Sequence, residues 1–121
     1  MINVDGYLAI SDYYQKNGNF TYIRKNRHSY STQTTACPSG LQGVDLDRNY
    51  GYMFAYDDNG SSGQSSVCAD DYRGPSAFSE PETAAIKSFM SSWPNIFVAL
   101  NLHSSSNLLK YPFNYDVAAN T

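Results

Sequence analysis

The chain is short of charge and has no long apolar run, and each shortage excludes something. Lys and Arg total 8 against 11 Asp and Glu, a net charge of −3, so electrostatics give no reason to expect a nucleic-acid partner. Only Arg24-Lys25-Asn26-Arg27-His28 is locally basic, and it reads as a solvated turn. No apolar run approaches the roughly 20 residues needed to cross a bilayer, so no membrane partner is expected. Met1 is followed by no basic stretch and apolar core of the signal-peptide kind. Nucleophilic catalysis finds no Gly-x-Ser-x-Gly elbow or triad order, and phosphate binding finds no Gly-rich loop. No internal repeat is present. The 121 residues allow one domain at most, with 41% hydrophobic residues to form a modest core.

Ile2-Asn3-Val4-Asp5-Gly6-Tyr7 reads as the end of a strand entering a turn, as though the chain begins inside a domain. Tyr7 to Tyr14 has no firm period, and Asn17-Gly18-Asn19 is a turn signal. Ser29 to Gly43 and Asp57 to Ser66 are polar loops of more than usual length, as functional loops often are. A helix is expected from Ser79, with Ser79 and Glu82 at capping-box spacing and Pro81 in the first turn. Ile86, Phe89, Met90 and Trp93 then fall on one stripe, expected to face a core, and Pro94 ends the helix. Ile96 to Leu102 has the pattern of a strand buried on both faces. Helix then buried strand is the unit of an α/β sheet. Leu108 to Phe113 is expected to be a further short strand or extended segment.

In open α/β sheets, ligands gather beyond the carboxyl ends of strands, and His103 stands there, followed by the polar run Ser104 to Asn107. One imidazole cannot hold a catalytic zinc, which needs three protein ligands and an open position. No His-Glu-x-x-His or His-x-x-Glu pattern accompanies it, and His28 reads as a surface residue. Arg48, among Asp45 and Asp47, reads from this segment alone as part of a buried or half-buried ion pair rather than as a guanidinium fork for a ligand carboxylate. Arg24 alone would be a surface arginine. Eleven tyrosines suit packing more simply than a sugar- or peptide-binding surface. Cys37 and Cys68 would be unrelated thiols in an intracellular protein. Both lie in polar loops where a free thiol would be exposed, so a disulfide between them is the favoured expectation. The sequons Asn19-Phe20-Thr21 and Asn59-Gly60-Ser61 agree with a secreted or lumenal location.

Taken in order, five segments resemble the zinc carboxypeptidase family of the A/B type. Asn3-Val4-Asp5-Gly6-Tyr7 is similar to its Asn-Pro-Asp-Gly-aromatic turn, and Tyr22 to Arg27 to its Trp-Arg-Lys-x-Arg segment. Gly43-Val44-Asp45-Leu46-Asp47-Arg48-Asn49-Tyr50 resembles Gly-Val-Asp-Leu-Asn-Arg-Asn-Tyr. Tyr72 to Thr83 is similar to the run that opens a helix, and Leu102-His103-Ser104 with Leu108-Leu109 and Tyr111-Pro112 to the histidine strand and its sequel.

The resemblance implies a partial mixed-sheet α/β domain with long loops, residues 1–121 being a central part of the catalytic domain. It implies a zinc-dependent metallocarboxypeptidase that releases single C-terminal residues from peptides or proteins and is a monomer when complete. His103 would be the last of three zinc ligands, Arg24 would stabilise the developing oxyanion, and Arg48 would bind the peptide's free carboxylate. Cys37 and Cys68 would be the disulfide pair of A/B-type members. The other two ligands, a His-x-x-Glu pair, are implied upstream of this chain, and the general-base glutamate and a mobile tyrosine downstream. Asp47 stands where the family has asparagine, and is expected to repel a substrate carboxylate and to compete for Arg48. Ser105 stands where a tyrosine is frequent. The alternative is a non-catalytic relative, peptide-binding at most.

Overall fold

The computed structural model describes residues 2–30, 33, 37–38, 41–103, 107–110 and 115. Two α-helices fall wholly within them, α1 (Val4–Asn17) and α2 (Pro81–Ser92). Between them lie two single-turn 3-10 segments, Leu46–Arg48 and Gln64–Ser66.

The first departure from the sequence reading is α1, since the stretch read as a strand end is helical. Asn3 is the cause: its side-chain oxygen accepts the Gly6 N–H at 2.9 Å, satisfying an early donor of the helix. The same side chain donates to the Arg24 and Lys25 carbonyls at 3.0 and 3.1 Å, so one residue caps α1 and holds the segment carrying Arg24. A Cβ on Gly6 would sit 2.4 Å from that amide nitrogen. The turn signal at Asn17-Gly18-Asn19 is realised: Gly18, at φ +69°, closes α1 by donating to the Tyr14 carbonyl.

Helix α2 begins two residues after the expected start. Pro81 is in its first turn as expected, but the capping box is not formed. Glu80 is the N-cap and makes no side-chain cap bond, because its carboxylate is turned inward to other donors. The stripe of α2 is also not a core here: Ile86 is half-buried, and Phe89, Met90 and Trp93 are exposed. Ile96 to Leu102 has no regular secondary structure and no ladder partner among the described residues, with Phe97 91% and Leu102 90% exposed. A buried strand exists only where neighbouring strands take up its backbone groups. No such neighbour lies among the described residues. Residues 107–110 are likewise without regular secondary structure and exposed, and Tyr111 to Phe113 and Ser105 lie outside the described residues.

The core is small and largely polar. Val44, Leu46, Tyr72 and Cys37 are buried beside Lys25, Asn26, Gln33, Asp45, Asn49, Glu80 and Thr83. Three extended segments meet in it. Asn26 exchanges two bonds with Val44, its N–H donating to Val44 O at 3.0 Å and its Oδ1 accepting Val44 N at 2.8 Å. Asp45 N then donates to Tyr72 O at 2.8 Å. Gly43 is required at this crossing: it holds φ +99°, and a Cβ there would lie 2.0 Å from the Asn26 carbonyl oxygen.

Buried polar side chains pin both long loops. Gln33 is fully buried and donates to the carbonyls of Gly43 and Val67 at 2.9 and 2.8 Å. Arg73 binds the Asp58 carboxylate at 2.7 Å and the Asp57 and Ser61 carbonyls. The Cys37–Cys68 disulfide closes a 31-residue separation between the loops. By the chain-entropy argument that closure contributes about 3–4 kcal/mol.

Candidate active site

The site is built on the buried turn Val44 to Asn49. Asp45 is the N-cap of the 3-10 segment, its Oδ1 accepting Asp47 N at 3.2 Å. That leaves Oδ2 for cations. Arg24 reaches it with Nε at 2.8 Å and Nη2 at 2.7 Å. Nη2 of Arg24 also lies 3.3 Å from Asp47 Oδ2. Arg48 Nε stands 3.9 Å from the same Asp45 oxygen and donates to the Gly60 carbonyl at 2.7 Å. His103 Nδ1 is 3.5 Å from Asp47 Oδ2. The structure therefore brings Arg24, Asp47, Arg48 and His103 together, with Asp45 at their centre.

Burial works against the charge on Arg24, yet Asp45 and then Asp47 hold its pKa above the ordinary value. Burial pushes the Asp45 carboxyl up, and the Arg24 guanidinium offsets this only in part. The paired contacts at 2.7 and 2.8 Å to a permanently charged group make the ion pair the relevant state near neutrality.

Asp47 is not where the sequence led one to expect it. Its neighbours among the described residues are Arg24 and His103, while the acidic neighbour of Arg48 is Asp45. The turn is responsible, because Asp47 and Arg48 are consecutive residues of a 3-10 segment, and at three residues per turn neighbouring side chains point in different directions. The half-buried ion pair expected for Arg48 is present as a loose contact with Asp45, and the same side chain is open to a cavity. The cavity has a volume of about 760 Å3, and its lining also includes Asp47, Tyr50, Phe54 and Lys110.

The sequence reading missed Asp45 as the central carboxylate and Glu80 as the anchor beneath the site. Glu80 is 0% exposed and takes donors from four residues. These are Asn26 Nδ2 at 2.8 Å, Tyr30 OH at 2.6 Å, Ser79 Oγ at 2.7 Å and the His28 ring at 2.9 Å. Burial disfavours its charge, but these bonds outweigh it and leave the pKa below the usual carboxylate range. The Tyr30 hydroxyl is correspondingly pushed up to about 12, by burial and by its bond to Glu80. His28, read as a plain surface residue, is half-exposed and tied to this carboxylate. Asn49 ties the two halves together. Its Nδ2 donates to Arg73 O, Ser76 O and Ser79 Oγ, and its Oδ1 accepts Thr83 Oγ1 at 2.6 Å. The signal available in the sequence was the polar residues flanking Arg24 and Arg48, which a core-seeking reading passes over.

As a metal site the described residues fall short. His103 supplies one imidazole, and no three His, Cys, Asp or Glu side chains group together among the described residues. A catalytic zinc needs three protein ligands, so these residues alone do not fit it. No helix among them is long and apolar enough to cross a membrane.

Comparison with known proteins identifies the family to which this chain belongs. The zinc carboxypeptidase family matches across residues 1–121, and the chain belongs to that family. It is an α/β family of metalloproteases that use Zn2+. Carboxypeptidase A5 of Homo sapiens is 41% identical over 71 residues, which is 59% of this chain and 15% of that protein. Carboxypeptidase A2 of Rattus norvegicus is 37% identical over 90 residues, 74% of this chain and 21% of that protein. Mast cell carboxypeptidase A of Homo sapiens is 35% identical over 116 residues, 95% of this chain and 24% of that protein. The chain thus spans between 15% and 24% of the length of these relatives.

Proposed function

We propose that the whole protein is a zinc-dependent metallocarboxypeptidase releasing single residues from the C-termini of peptides or proteins. The observation that carries this is the convergence of Arg24, Arg48 and His103 on the Asp45 and Asp47 carboxylates. In this reading Arg48 grips the substrate's free carboxylate. Its Nε is engaged by Gly60, so the terminal nitrogens of the fork are what a ligand carboxylate meets. Arg24, fixed by Asp45, presents positive charge to the oxygen on which negative charge develops, a preorganised electrostatic role. Asp47 restrains Arg24 and His103, and the cost of its negative charge to the substrate falls on the Arg24 side of the site.

His103 acts as one zinc ligand, with the remaining ligands and the general base supplied by the rest of the protein. The family's mixed sheet is proposed for the whole protein too, with Ile96 to Leu102 as one of its strands. Residues 1–121 form part of the catalytic domain, and the complete domain is a monomer. The disulfide and the two sequons support a secreted or lumenal location.

The test uses the full-length protein and two peptides that differ only in a free or an amidated C-terminus. Release of the last residue from the free peptide alone, with stoichiometric zinc in the protein, is expected. Arg48→Ala should lower kcat/KM by about a hundred- to a thousandfold, the effect of leaving a charged partner unpaired. Equal cleavage of the amidated peptide, or no zinc, would overturn the reading.

A further inference from the structure

The cavity beside Arg48 contains a second cation that the reaction does not use. Lys110 lines the same space as Arg48, and it makes no ion pair among the described residues. Two carboxylates also line the cavity, and neither pairs with Lys110 among the described residues. Asp47 faces Arg24 and His103, and Asp57 Oδ1 accepts the Asn59 N–H at 3.1 Å as a turn cap. Five aromatic rings, those of Tyr50, Tyr52, Phe54, Tyr56 and Tyr115, also line it, with Tyr115 packed edge-on against Tyr52 at 5.7 Å and Tyr56 at 5.4 Å. Its volume of about 760 Å3 accommodates an amino-acid side chain. Ring walls reduce the water available to an ammonium and strengthen its attraction to any anion that enters.

We propose that this cavity selects a C-terminal residue with an acidic side chain, its α-carboxylate on Arg48 and its side-chain carboxylate on Lys110. The proposal rests on the carboxypeptidase reading above for the direction in which the substrate enters. An acidic residue brings two negative charges to two cations. A neutral residue leaves the ammonium uncompensated, and a basic one opposes it. The flexible lysine stem lets the charge follow either aspartate or glutamate.

The experiment uses the full-length protein and peptides identical except for a C-terminal Glu, Gln, Phe or Lys. kcat/KM is measured for each, and Kd for each is measured by fluorescence anisotropy after chelation of the metal. Glu is expected to exceed Gln by about tenfold in both, with the ratio shrinking as salt rises. In Lys110→Met the ratio should fall to about one, in Lys110→Arg it should persist, and in Lys110→Glu the Lys peptide should overtake the Glu peptide. A wild-type ratio of one or below, a ratio unchanged in Lys110→Met, or a preference for Phe over Glu overturns the proposal. Binding with the expected ratio but without hydrolysis supports the cavity assignment while removing the catalytic reading. Failure to bind any of the peptides removes both.

Discussion

Replacing Glu80 with alanine should destabilise the protein by about 3–5 kcal/mol, although Glu80 touches none of the residues proposed for chemistry. The magnitude follows from its four donors. Asn26 Nδ2 would keep only Glu82 Oε1, at 3.4 Å, and its own Oδ1 is already taken by Val44 N, so rotating the amide solves nothing. Tyr30 OH loses its 2.6 Å acceptor in a partly buried place. Each stranded buried donor costs about 1–3 kcal/mol, and the vacated volume adds to that. Ser79 still accepts from Asn49 but loses the acceptor of its own O–H, and His28 loses less because it reaches water. Glu80→Gln is the control. It retains an acceptor and loses the charge, so about 1–2 kcal/mol is expected. Urea denaturation of the full-length protein at neutral pH measures both. The acid limb gives a second readout. The folded pKa of Glu80 is depressed, so its contribution is fully present above the unfolded carboxylate value of about 4.3 and is lost as pH falls through the folded value. Wild type should therefore lose stability across that window, and Glu80→Gln should lose that component. An alanine variant weakened by less than about 1 kcal/mol, or a glutamine variant with an unchanged acid limb, would refute the argument.

Reduction of the Cys37–Cys68 bond, or Cys68→Ser with Cys37→Ser, should cost about 3–4 kcal/mol in the same assay; a midpoint insensitive to reductant would contradict the loop-closure account. Gly43→Ala should lose at least about 3 kcal/mol or fail to fold, because φ +99° and the Asn26 carbonyl 2.0 Å from the added Cβ act together. Gly60→Ala, which also holds a positive φ but meets no atom within 4 Å, isolates the backbone cost and should lose only about 1 kcal/mol. The 121-residue chain on its own should aggregate or melt without cooperativity, since Phe97, Val98, Leu100 and Leu102 present apolar side chains on a segment with no ladder partner among the described residues. A sharp melt of a soluble monomer in calorimetry would count against this.

What the sequence determined by itself was the identity of the parts. Local signals placed Pro81 in the first turn of a helix and a chain turn at Asn17-Gly18-Asn19, because Pro and Gly act through local dihedral preference. The family was legible too, since motif order survives without any knowledge of contacts. Local pattern failed where the outcome depends on a neighbour. Val4 to Asn17 became helical through one cap at Asn3, and Ile96 to Leu102 has the apolar pattern of a buried strand but no partner strand beside it among the described residues. Tertiary structure alone decided which carboxylate meets which arginine. Asp45 and Asp47 lie two residues apart and look interchangeable in sequence. The 3-10 turn buries Asp45 between Arg24 and Arg48 and swings Asp47 toward Arg24 and His103. A hydrogen-bonded turn fixes direction as well as distance, and direction is what spacing in a sequence does not record.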